Sequence, residues 1–132
     1  MDIIYEGTSL KDIRDKLTEG MYSSRIRTGY LLGNFSEEDG RVTVTGVVIP
    51  DQRSYQHDNE VISGELERIT GEMSAQDLQI VGFVQYNWAF PCKDGPSIAD
   101  ERNKISTKLS IVMNKKDNDE GVVHKVFSGD LN

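Results

Sequence analysis

Apolar and polar positions along the chain change period several times, and each change marks an element. Ile3 to Tyr5 is a short apolar run that predicts a first strand. Leu10, Ile13, Leu17 and Met21 then recur at helical spacing behind Ser9, whose hydroxyl can cap a helix with Asp12 three residues on. This predicts a helix over 9–20, closed by Gly20. Two β-rich runs, Gly29 to Phe35 and Arg41 to Ile49, flank the segment Ser36-Glu37-Glu38-Asp39-Gly40. Its Asp-Gly pair suits a tight reversal, so the two runs form a hairpin. Pro50 closes the second run, and the polar stretch Asp51 to Asp58 reads as a loop. Val61, Ile62, Leu66, Ile69 and Met73 place an apolar stripe on a second helix, with Asp58 or Asn59 as its cap. Leu78 to Tyr86 has the continuous apolar character of a buried central strand. A short helix is expected after Asp100, then strands over 108–114 and 122–127 around the turn from Lys116 to Gly121. The fold class this predicts is α/β, a single domain over 1–132 with a mixed central sheet and two main helices.

The length supports one domain. A chain of 132 residues buries roughly two thirds of its unfolded surface and needs no cross-links. A net charge of -7 supplies no basic field for a polyanion, so nucleic acid and anionic membranes are not expected partners, and proteins or small molecules are. One cysteine, Cys92, excludes an internal disulfide framework and fits a reducing compartment. The acidic start Met1-Asp2-Ile3-Ile4-Tyr5-Glu6 is unlike a secretory signal. A cytoplasmic or nuclear location is therefore expected.

The chemistry concentrates after the central strand. Gln85 and Asn87, two apart on one strand, share a face, and Pro96-Ser97-Ile98-Ala99-Asp100 comes next. Taken in order, the strand, helix, Gly29-Tyr30-Leu31-Leu32-Gly33, the hairpin ending Val48-Ile49-Pro50-Asp51-Gln52, the helix, Val81-Gly82-Phe83-Val84 and then Ser97-x-x-Asp100 resemble the JAMM/MPN domain over nearly the whole chain. Within that superfamily the Val48–Gln52 corner and the late segment Ile111 to Gly121 look most like the AMSH-type deubiquitinases.

The resemblance implies a zinc hydrolase whose metal is held by a His-x-His pair and an aspartate, with a glutamate as base and a serine at the oxyanion. The matching positions here are Gln85 and Asn87, Asp100, Ile26 and Ser97. Ser97 and Asp100 are retained. The base is an isoleucine and both nitrogen ligands are carboxamides, which bind zinc poorly. The resemblance therefore implies an inactive pseudo-deubiquitinase with no cofactor, acting as a protein-interaction or scaffolding module in a ubiquitin-related complex. Its expected partner is another MPN-domain subunit or ubiquitin. The alternative is a metal-dependent isopeptidase or peptidase with a rebuilt zinc site using Asp100, Cys92 and a histidine.

Local readings compete with these. Ser-x-x-Asp after a proline is also a helix cap, worth about 1 kcal/mol. Gln85 and Asn87 serve equally as a ligand-recognition pair or as hydrogen-bonded filler. His57 and His124 share no ligand spacing with Cys92, and Asp117, Asp119 and Glu120 lack the full calcium-loop pattern. Tyr86, Trp88 and Phe90 are the candidate binding residues at the rim of the cleft, where the segment Trp88 to Pro96 is longer than the family usually has. Their alternative role is to fold inward and fill the space left by metal and substrate.

Overall fold

The computed structural model describes residues 2–20, 26–54, 59–87, 109–114 and 125–128. In chain order the elements are β1 (Asp2–Tyr5), α1 (Leu10–Thr18), β2 (Ile26–Ser36), β3 (Arg41–Val48), β4 (Gln52–Ser54), β5 (Asn59–Val61), α2 (Glu65–Ser74), β6 (Gln79–Asn87), β7 (Leu109–Asn114) and β8 (Lys125–Ser128).

Six strands form one sheet in the order β1-β3-β2-β6-β7-β8, and β4 and β5 form a separate two-stranded ribbon. The sheet is mixed: β1 runs parallel to β3 and β6 parallel to β7, while the other neighbours are antiparallel. Strand alternation sends neighbouring residues to opposite faces, and each face carries its own helix. On one, Ile13 and Leu17 of α1 pack with Leu31, Val42, Val44, Val84, Tyr86, Ile111 and Met113. On the other, Ile69 and Met73 of α2 pack with Tyr30, Leu32 and Phe83. The expected α/β architecture with a mixed sheet and two helices is present. Among the described residues, no helix is long and apolar enough to cross a membrane.

Local chemistry accounts for the element ends. Ser9 Oγ accepts from the Asp12 amide at 3.1 Å, which satisfies one of the open donors of α1. At the other end the Arg27 guanidinium donates to the carbonyls of Leu17 and Glu19, at 3.1 and 2.7 Å, where the helix leaves acceptors unpaired and a positive charge is favoured. The helix stops at Thr18 and Gly20 lies beyond it in the left-handed region, with φ 67°. The β2–β3 hairpin turns through Gly40, whose φ of 61° suits the Asp-Gly signal. Inside the hairpin the register shifts between Leu32 and Gly33, and there the strands approach closely. A side-chain carbon at Gly33 would lie 1.7 Å from the Thr43 carbonyl oxygen, so only glycine fits the bulge.

Two expectations are corrected. The stretch from Asp51 is not all loop, because Gln52–Ser54 pairs antiparallel with Asn59–Val61. Nor does Asn59 cap α2. That helix begins at Glu65 behind Gly64, whose φ is 92°, and it carries Leu66, Ile69 and Met73 of the predicted stripe while Val61 and Ile62 precede it. Asn59 is not free to cap a helix because its carboxamide is bound to β2. Where they lie in the described regions, the predicted strand ends at Tyr5, Arg41 and Asn114 hold and the others move by one to three residues. The helix expected after Asp100 and the turn from Lys116 to Gly121 lie outside the described residues.

Candidate functional site

The residues singled out on β2 and β6 meet in register. Ile26 lies directly opposite Asn87, and Thr28 opposite Gln85, on adjacent antiparallel strands. Ile26 and Gln85 are buried, at 6% and 7% exposure. Asn87 pairs on its other side with Asn114 of β7. Thus the position that the resemblance assigns to the base and those it assigns to two ligands share one short stretch at the end of the central strand pair. Ser97, Asp100, Trp88 and Phe90 lie outside the described residues, as do His57, His124, Cys92, Asp117, Asp119 and Glu120.

Tyr86 does not belong with an exposed surface. It is fully buried in the cluster against α1. Alternation sets its face, opposite to that of Gln85, and the packing of Ile13 and Leu17 on that face buries it. Burial raises the pKa of its phenol, and the neighbouring Arg14 guanidinium partly opposes that rise.

The other side of the Ile26–Thr28 segment is held by a hydrogen-bond network that sequence reasoning missed. β3 ends at Val48, opposite Tyr30, so the β2 backbone at Thr28 has no β3 residue beside it there. The side chain of Gln52 takes that place. Its Oε1 accepts from the Thr28 amide at 2.8 Å, and its Nε2 donates to the Thr28 carbonyl at 2.8 Å and to the Pro50 carbonyl at 3.0 Å. A carboxamide has the same donor and acceptor as a peptide group, and here it continues the ladder that Pro50 interrupts. Asn59 completes the arrangement. Its Nδ2 donates to Gln52 Oε1 at 2.7 Å and to the Ile26 carbonyl at 3.2 Å, while its Oδ1 accepts from the Thr28 hydroxyl at 2.7 Å. Thr28 and Asn59 are almost wholly buried, which is tolerable because their polar atoms are paired. The only advance signal is Gln52 directly after the Pro50-Asp51 corner.

A second anchor lies beside it. Glu65, 8% exposed, accepts from the Asp51 amide at 2.9 Å and from both Nε and an Nη of Arg68 at 2.8 Å. The bidentate Arg68 contact, then the Asp51 amide, hold its carboxyl down to about 2. Glu65 in turn adds to the burial that pushes the Tyr30 phenol up to about 12.

Chemically, the described part of the site consists of an isoleucine, a threonine and the carboxamides of Gln52, Asn59 and Gln85. None of these side chains accepts a proton at neutral pH, and the Thr28 hydroxyl is committed to Asn59. At the described positions the side chains are a hydrocarbon and an amide, which bind zinc poorly, where the resemblance implies a carboxylate and an imidazole. Such a set can bind by shape and by neutral hydrogen bonds. Compared with models of known protein families and with curated proteins, the chain matches none.

Proposed function

We propose that the chain is a catalytically inactive JAMM/MPN-like domain that serves as a protein-interaction or scaffolding module in a ubiquitin-related complex. The observation that carries this reading is the register of β2 against β6, with Ile26 opposite Asn87 and Thr28 opposite Gln85. This supports the reading because the three positions that the resemblance assigns to base and nitrogen ligands lie on one stretch of adjacent strands and carry an isoleucine and two carboxamides. Around them Gln52 and Asn59 hold the β2 backbone by neutral hydrogen bonds. The partner is another MPN-domain subunit or ubiquitin itself.

Restoring the missing ligands tests the reading. The double variant Gln85→His with Asn87→His should take up zinc, measured as metal content after dialysis, and should cleave ubiquitin conjugates little while Ile26 stands at the base position. Adding Ile26→Glu should raise cleavage above that of the double variant. A double variant that takes up no zinc removes the proposed alignment of Asp100 as third ligand, and cleavage by the unaltered chain removes the pseudoenzyme reading altogether.

A further inference from the structure

We propose that the outer edge of β1 binds an extended basic segment of a partner protein as an added strand, with Lys or Arg, an apolar residue and Lys or Arg at alternate positions. This surface is separate from the Ile26–Asn87 site and stands whether or not that site is read correctly.

β1 is the last strand on its side of the sheet, paired with β3 alone among the described residues. The Asp2 amide donates to the Gly40 carbonyl at 3.0 Å and the Glu6 amide to the Val44 carbonyl at 2.9 Å. Backbone groups alternate along a strand, so Asp2, Ile4 and Glu6 turn theirs toward β3, and Ile3 and Tyr5 turn theirs outward. Those outward groups are a template for another strand. Side chains alternate as well. Ile3 and Tyr5 pack toward α1, which leaves Asp2, Ile4 and Glu6 on the opposite face, all exposed, with Ile4 at 38%. The edge thus presents an isoleucine between two carboxylates, and among the described residues neither carboxylate is in an ion pair. Exposed Glu37, Glu38 and Asp39 in the β2–β3 turn lie next to the start of β1 and deepen the negative field, which Arg41, opposite Asp2, offsets only in part.

Charge decides among occupants. A second copy pairing antiparallel about Ile4 would set Asp2 against Glu6 of its twin at both ends, and like charges directly opposite are destabilising. An acidic or neutral strand gains nothing from the flanks. A segment carrying basic, apolar and basic side chains at every second residue matches Asp2, Ile4 and Glu6 one for one, and the field also speeds its approach.

The probe is the peptide acetyl-Thr-Lys-Thr-Val-Thr-Lys-Thr-amide, labelled for fluorescence anisotropy and compared with its twin bearing Glu in place of Lys. The lysine peptide should bind the intact chain with a Kd about tenfold or more below that of the glutamate peptide. In the Asp2→Lys, Glu6→Lys double variant the preference should reverse. Hydrogen exchange at the Ile3 and Tyr5 amides should slow in the complex. Ile3→Pro removes an outward donor while leaving the inward bonds of Asp2, Ile4 and Glu6, so it should lose the peptide with unchanged circular dichroism. No binding, equal binding of the two peptides, or protection at amides other than those of β1 overturns the proposal.

Discussion

Thr28 Oγ1 donates a 2.7 Å hydrogen bond to Asn59 Oδ1 across the junction between the main sheet and the β4–β5 ribbon, with both side chains buried. The same Asn59 carboxamide donates to the Ile26 carbonyl and to Gln52. One residue therefore joins β2, β4 and β5, and it holds the segment that lies opposite Gln85 and Asn87.

Removing Asn59 leaves the Thr28 hydroxyl, the Ile26 carbonyl and Gln52 Oε1 each short of a partner in a buried place. Asn59→Ala should cost about 2 kcal/mol in urea unfolding. Thr28→Val should cost about 1 kcal/mol by itself. In the Asn59→Ala background the same Thr28 change should cost much less, because its partner is already gone. Additive losses in that double-mutant cycle would contradict a direct coupling between the two side chains.

Gly33→Ala should be among the most damaging single substitutions in the hairpin. The added carbon meets the backbone of Thr43, not the movable end of a side chain, so the strands must separate at the bulge. We expect a loss of about 3 kcal/mol or more, read from thermal unfolding. Gly46→Ala, where an added carbon meets nothing within 4 Å, is the matched control and should change stability far less.

Glu65 makes the protein sensitive to acid. Its folded pKa is about 2, against an ordinary value of 4.5. The stability it contributes is therefore fully present above about pH 4.5 and is lost as pH falls toward 2. Urea midpoints measured across that window should fall less steeply for Glu65→Gln than for the unaltered chain. Equal slopes would mean that the Arg68 and Asp51 contacts do not favour the ionised form.

Tyr30 acts at the opposite extreme. Burial, followed by the charges of Glu65 and Glu67, raises its folded pKa to about 12 from 10.0. The stability linked to its neutral phenol is complete below about pH 10 and is lost as pH rises toward 12. Tyr30→Phe should flatten the alkaline limb of the stability profile, and an ultraviolet titration of the phenols should show a late-ionising tyrosine in the unaltered protein that this variant lacks.

Much of the fold is legible in local patterns. Ile13 and Leu17 stand one helical turn apart and are both wholly buried in α1, while Ser9 and Gly20 mark its two ends. Asp39-Gly40 announces the hairpin, and the apolar run Leu78 to Tyr86 announces the central strand. The Asp58–Asn59 cap misleads for a definite reason. Asparagine is a favoured helix start, and nothing within a few residues of Asn59 shows that its carboxamide is bound to β2 instead. Tyr86 is legible in principle, since alternation from Gln85 already sends it to the far face. Its closeness in sequence to Trp88 and Phe90 hides that.

The sequence by itself determined the two helices and the main strands, though not β4, β5 or the start of α2, and the chemical character of the candidate site: an isoleucine at position 26 and carboxamides at positions 85 and 87. Those properties depend on residue identity and on repeats a few residues long. Tertiary structure alone decided the strand order, the parallel pairing of β1 with β3 and of β6 with β7, and the use of Gln52 and Asn59 to extend β2. The Gln52 and Asn59 bonds to Thr28 join residues 24 and 31 positions apart. A contact at that range forms only where the whole sheet brings its two ends together, so no local pattern of hydrophobic and polar residues encodes it.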